Sequence, residues 1–146
     1  MSAQPVFCPT ANDGAKLRVT GDSVRVLATK NDTDQKFEVF EFTAMRDSGP
    51  PPHAHPWSEA YLMVRGDMEV LVDGRAVDVA AGGFVHIPAG VVHALRVTSD
   101  IATFFVITGP GNLSAMLGEL HDQSDFPTIV EIALRNGLEL ATAASS

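Results

Sequence analysis

Cysteine is almost absent from this chain: Cys8 is the only one among 146 residues. No internal disulfide can form, and a lone thiol near a terminus carries no catalytic signature, so an inert or surface thiol is expected. No stretch approaches the roughly 18 apolar residues that a membrane helix requires. The opening MSAQPVFCPT has neither a basic region nor a long apolar run, so no secretory signal is expected. Basic residues are scarce as well. Ten Lys and Arg stand against 18 Asp and Glu, giving a net charge of −8. Nucleic acid and anionic membrane surfaces both call for basic patches, and neither is an expected partner. The chain reads as a cytoplasmic protein. Linkers, low-complexity tracts and internal repeats are also missing, which leaves one domain of ordinary size. Its 45% hydrophobic content is enough for a core without staples.

What is present divides into two patterns. An N-terminal arm, 1–15, precedes a region of short strands and turn residues over 16–108. A helical extension follows over 109–140, and residues 141–146 read as a frayed tail. Strand signals are alternation and β-forming residues. Residues 23–29 place Val24 and Val26 on one face. In 36–42, Phe37, Val39 and Glu41 share one parity, and Glu38, Phe40 and Phe42 share the other. Aromatics on both parities read as a strand buried on two sides. Residues 67–72 and 75–79 flank Asp73–Gly74, the signature of a type I′ hairpin. Residues 101–107 form a near-continuous apolar run, again a buried strand. Many short strands with Gly and Pro punctuation predict a sandwich or closed barrel. In the tail, Leu113, Met116, Leu117 and Leu120 follow helical spacing. Ile129, Ile132, Ala133 and Leu134 suggest a second helix between Pro127 and Asn136–Gly137.

Four of the five histidines lie within 53–93, and three of those fall in two compact patterns. The first runs Gly49–Pro50–Pro51–Pro52–His53–Ala54–His55 and on to Glu59 and Gly66. The second joins Gly82, Pro88, Gly90 and His93. Three prolines favour an extended chain, where residues two apart point the same way. His53, His55 and Glu59 therefore share a face, together with Trp57, Tyr61 and Met63. The opposite set of Ala60, Leu62 and Val64 is also apolar and needs cover from the tail helices or another subunit. Burying two imidazoles and a carboxylate is costly unless they are paired or metallated. A divalent cation satisfies all of them, and His93, entering after the Pro88–Ala89–Gly90 turn, supplies a fourth ligand.

These two patterns resemble the two conserved motifs of the cupin superfamily. The first family motif is G-x5-H-x-H-x3,4-E-x6-G, and this chain matches it from His53 through Gly66, with Gly49 three residues before the pair rather than five. The second is G-x5-P-x-G-x2-H-x3-N, matched except that Val97 stands where Asn is usual. Neither departure removes a ligand. The resemblance implies an all-β, jelly-roll-like cupin barrel with short C-terminal helices. It implies one divalent transition metal (Fe, Mn, Ni, Cu, Co or Zn) on His53, His55, Glu59 and His93.

Pro-Pro-Pro-His-x-His-x3-Glu with a helical tail is similar to quercetinase-like small cupins. That similarity implies an oxidoreductase, a metal-dependent dioxygenase acting on a small enolic or phenolic, flavonol- or polyketide-like substrate, with Glu59 as catalytic base. A non-redox cyclase, isomerase or lyase of secondary metabolism, and a non-catalytic small-ligand-binding cupin, are the alternatives. Trp57, Tyr61, Met63 and His86 are candidate pocket residues. Core packing for the first three and a solvent-facing His86 are the competing readings. His121 is expected at the surface, and the apolar outer face suggests a homodimer.

Overall fold

The computed structural model describes residues 6–141. Most of the expected frayed tail, 142–146, and the first five residues of the arm lie outside them. Among the described residues there are eleven strands: β1 (Lys16–Val19), β2 (Asp22–Ala28), β3 (Glu38–Met45), β4 (His53–Ala54), β5 (Glu59–Arg65), β6 (Asp67–Val72), β7 (Arg75–Ala80), β8 (Phe84–Ile87), β9 (His93–Val97), β10 (Ile101–Thr108) and β11 (Glu139–Leu140). Two helices, α1 (Leu113–Leu120) and α2 (Phe126–Arg135), separate β10 from β11. The strands form two antiparallel sheets, in the orders β1-β2-β3-β10-β5-β8 and β11-β4-β9-β6-β7. Their inner faces enclose one core, as expected of a jelly-roll-like barrel.

Alternation decides which side chains enter that core. Along β10, Ala102, Phe104, Val106 and Thr108 are buried while the residues between them are half-buried. On β3 the inward set is Glu38, Phe40 and Ala44. The register Glu38↔Thr108↔Glu59 sets these three inward residues side by side across β3, β10 and β5. Val24, Met63, Met68, Val70, Ile87 and Val97 are buried as fully. The reading of residues 36–42 as buried on both sides is corrected. Phe37 precedes the strand and is exposed, and Val39 and Glu41 are only half-buried, because the described residues leave the outer face of this strand partly open to solvent.

Two turns follow directly from their residues. Asp73 and Gly74 both have positive φ, 50° and 77°, which a type I′ turn between β6 and β7 requires. Gly66 joins β5 to β6 at φ +83°, and a Cβ there would lie 2.3 Å from the carbonyl oxygen of Ile101. The last glycine of the first motif is thus fixed both by backbone conformation and by contact.

The helices form where the periodicity predicts. Leu113, Met116, Leu117 and Leu120 are all buried on one face of α1, which packs against β1 and α2. In α2, Asp125 caps the first turn by accepting a hydrogen bond from the Thr128 amide at 3.1 Å. Ile132 and Ala133 face inward, whereas Leu134 is exposed. Neither helix shields Leu62 or Val64, which are 37% and 50% exposed, so the tail is not their cover. After α2 the chain returns, and β11 pairs with β4, Leu140 facing His53. No helix among the described residues is long and apolar enough to cross a membrane.

Candidate metal centre

The site is assembled from three stretches of chain. His53 lies on β4 and His93 on β9, directly opposite each other in the register. His55 sits in the short connection after β4, and Glu59 opens β5. The parity expected from the sequence holds across Pro56. His53, His55, Glu59 and His93 are all buried, none more than 7% exposed. One ligand atom from each of His53, His55 and His93 lies within 4.8 Å of the others. The Glu59 carboxyl joins them: its Oε2 is 2.9 Å from His55 Nε2 and 3.0 Å from His93 Nε2.

The outer nitrogens explain how the rings are held. Each Nδ1 lies 2.8 Å from a backbone carbonyl oxygen: Pro51 for His53, Trp57 for His55 and Val91 for His93. A carbonyl only accepts, so each ring carries its proton on Nδ1 and turns Nε2 toward the interior. Neutral rings of this tautomer would set bare nitrogen lone pairs against a carboxyl oxygen. Only protons or a cation between them relieve that repulsion. One cation satisfies all of these donors together, and borderline nitrogen with one hard oxygen is a set that divalent transition metals accept. The residues present fit a metal, and the three buried histidines form a candidate metal site.

Electrostatics agree with the geometry. Burial, with the His93 ring adding repulsion, pushes the His53 imidazole down to about 4. Burial alone would raise Glu59, but hydrogen bonds from His55 and His93 outweigh it and hold the carboxyl at about 2. Burial would likewise lower His93, yet its bond to Glu59 leaves it raised above the usual imidazole value.

Around the cluster, Trp57 stacks on His55 with ring centroids 4.5 Å apart and planes 9° from parallel. Gly111 also lies against it, where a Cβ would meet the indole at 2.6 Å. Tyr61 and Met63 continue the inward face of β5, and Tyr61 meets Phe104 edge-on at 6.1 Å. Burial, helped by the Glu59 charge, raises the Tyr61 phenol well above its ordinary range. His86 is brought elsewhere. It pairs with Ala60 on the outer face and is exposed, so it does not line the interior. The physical reason is parity, since Ile87 takes the inward position of β8. His121 is at the surface, accepting the Arg18 amide hydrogen bond at 2.9 Å, and Cys8 is exposed. Two open grooves, about 640 and 500 Å³, lie along β1–β3 and beside the N-terminal segment; none of the clustered residues lines either.

Two interior polar residues escaped the sequence reading as site neighbours. Glu38 is fully buried and accepts amide hydrogen bonds from Lys30 at 2.9 Å and Ser114 at 3.1 Å. Thr108 is the cross-strand neighbour of both Glu38 and Glu59. Inward parity with Phe104 and Val106 was the one signal that could have found Thr108.

A family model for the cupin domain matches residues 40–113, just over half of the chain, and the protein belongs to the cupin family. Among its relatives is quercetin 2,3-dioxygenase of Bacillus subtilis, 27% identical over 122 residues. That alignment covers 80% of this chain but 36% of the relative, so the chain spans about a third of that enzyme's length. Solved structures share the fold. An RmlC-like cupin from Shewanella frigidimarina has TM-score 0.67 at 17% identity, covering 77% of this chain and 97% of its own. The polyketide cyclase RemF from Streptomyces resistomycificus has TM-score 0.60 at 23% identity, with 72% and 80% covered.

Proposed function

We propose that this chain is a metal-dependent cupin enzyme whose His53, His55, Glu59 and His93 hold one divalent transition metal, and that it dioxygenates a small enolic or phenolic substrate. The observation that carries the reading is one ligand nitrogen from each of three buried histidines lying within 4.8 Å of the others, each ring fixed through its Nδ1, with the Glu59 carboxyl beside two of them. The ion, when bound, supplies a Lewis acid and, if redox-active, a path for electrons. The relative named for quercetin dioxygenation supports the choice of reaction.

The chain's own residues supply the rest. The Nδ1 bonds hold the imidazoles in place before any ligand arrives. Glu59, beside the open side of the cluster in this reading, accepts the substrate's hydroxyl proton. Tyr61, Met63 and Trp57 are buried neighbours on the inward face and keep bulk water from the cluster, which favours a mostly apolar substrate.

Replacing Glu59 with Gln should leave much of the metal in place and remove turnover. Oxygen uptake with a phenolic or enolic substrate, and a product heavier by two oxygen atoms, is the assay. An equally active Glu59→Gln enzyme would reduce Glu59 to a ligand. An isomeric or dehydrated product formed without oxygen would replace dioxygenation by the non-redox cyclase, isomerase or lyase reading.

Metal loading should weaken as pH falls, because a ligand nitrogen must be free of its proton. His93 holds its proton to higher pH than an ordinary imidazole, so the loss begins above the usual value of 6.5. Chelator competition at about pH 8 and about pH 5.5 should show the weaker binding at the lower pH. Equal affinity at both would remove His93 from the ligand set.

We also propose a homodimer through the outer face of the six-stranded sheet, where Phe84 is 60% exposed beside Leu62 and Val64. Sedimentation should give twice the chain mass, and Leu62→Lys should give one. A wild-type monomer would refute this.

A further inference from the structure

Buried polar side-chain atoms in this protein find partners with two exceptions among the described residues: Trp57 Nε1 and Thr108 Oγ1. Native interiors rarely leave such groups unpaired, so their location is informative. Both adjoin the histidine cluster. Trp57 stacks on His55, and Thr108 is the cross-strand neighbour of Glu59 on the inward face. Directly opposed residues on one face of an antiparallel pair have Cβ atoms about 5 Å apart. Neither atom is hydrogen-bonded to the nearby carboxylates. Glu38 already accepts from the Lys30 and Ser114 amides, and Glu59 Oε2 faces His55 and His93.

Packing does not require either polar atom. Valine has the shape of threonine, and Val106 fills the preceding inward position of the same strand. Phenylalanine would stack on His55 as indole does. Each polar atom instead adds a desolvation cost that the fold does not recover. An indole N–H can only donate, and a hydroxyl can donate, so the missing partner is an acceptor.

We infer that Thr108 and Trp57 are positioning residues for the ligand, donating hydrogen bonds to an anionic oxygen on an sp² carbon (a phenolate or enolate) of a small molecule bound at the histidine cluster. The inference rests on the metal-centre reading above and adds to it the groups that recognise the ligand. They would select for molecules carrying that oxygen, because an analogue without it leaves both donors buried and unpaired.

The test uses full-length, metal-loaded protein and 4-nitrophenolate, whose visible absorbance reports binding, with nitrobenzene as the analogue lacking the oxygen. Thr108→Val and Trp57→Phe should each bind 4-nitrophenolate about tenfold more weakly than wild type. Thr108→Ser should stay within about twofold, since it keeps the hydroxyl. All three should match wild type in metal content, and the two Thr108 variants also in melting temperature and in their response to nitrobenzene. The inference fails if either Thr108→Val or Trp57→Phe binds the phenolate as tightly as wild type. It fails if metal-loaded wild type does not bind the phenolate. It fails for Trp57 if Trp57→Phe loses metal, which would place its effect on His55. A wild-type protein that takes up no metal defeats the metal-centre reading instead, and that is visible before any phenolate is added.

Discussion

His93→Ala protein should purify without stoichiometric metal, and its affinity for a divalent ion should drop by at least ~100-fold. The position is the most demanding of the proposed ligand set. His93 is 1% exposed, opposes His53 across two strands, and shares the Glu59 carboxyl oxygen with His55. Alanine removes one Nε2 and leaves that carboxyl oxygen with a single imidazole. The variant should still fold, because β9 keeps its pairing with β6 through Leu95 and Val97. Elemental analysis after purification without added metal is the direct measurement. Thermal unfolding gives a second one: a bound ion raises the melting temperature of wild type, and the variant should show no such rise. Full occupancy in both His93→Ala and His55→Ala would refute the ligand assignment.

Glu38→Ala should be the most destabilising single change outside the histidine cluster, costing about 3–5 kcal/mol. Its two carboxyl oxygens tie down segments far apart in sequence: the Lys30 amide before β3 and the Ser114 amide in the first turn of α1. Alanine strands both amides in the interior and opens a void at a position with no solvent access. The effect reaches further, because the Lys30 ammonium donates to the Gly111 carbonyl oxygen at 3.0 Å and Gly111 is pressed against Trp57. Against a domain stability of about 5–15 kcal/mol, such a loss is large. Urea unfolding measures it. Glu38→Gln keeps one acceptor and should cost about half as much. A Glu38→Ala protein within about 1 kcal/mol of wild type would show that the two amides find other partners.

The sequence made much of this site legible because its constraints are local. His53, His55 and Glu59 share parity on an extended segment, and the Pro88–Ala89–Gly90 turn delivers His93. The β6–β7 hairpin was legible in Asp73–Gly74, whose two positive φ values few other pairs tolerate. Long-range geometry was not legible. Nothing near Glu38 in sequence announces that its acceptors' donors lie 8 and 76 residues away. Thr108 could not be linked to Glu59 before the β10–β5 register was known. His86 failed for a related reason: four residues of β8 do not reveal which parity turns inward until Ile87 is seen packed in the core. The exposed outer face was visible as apolar residues at Leu62 and Val64, but whether the helices would shield it depended on where α1 and α2 dock.

Trp57 is the sole tryptophan of the chain, and its indole lies flat on one of the three clustered imidazoles. The protein therefore carries its own optical reporter. Indole emission arises from a single site, without background from other tryptophans, and excited-state quenching by a neighbouring ring depends steeply on distance and charge. Any event that protonates, metallates or displaces His55 alters the brightness of that one fluorophore.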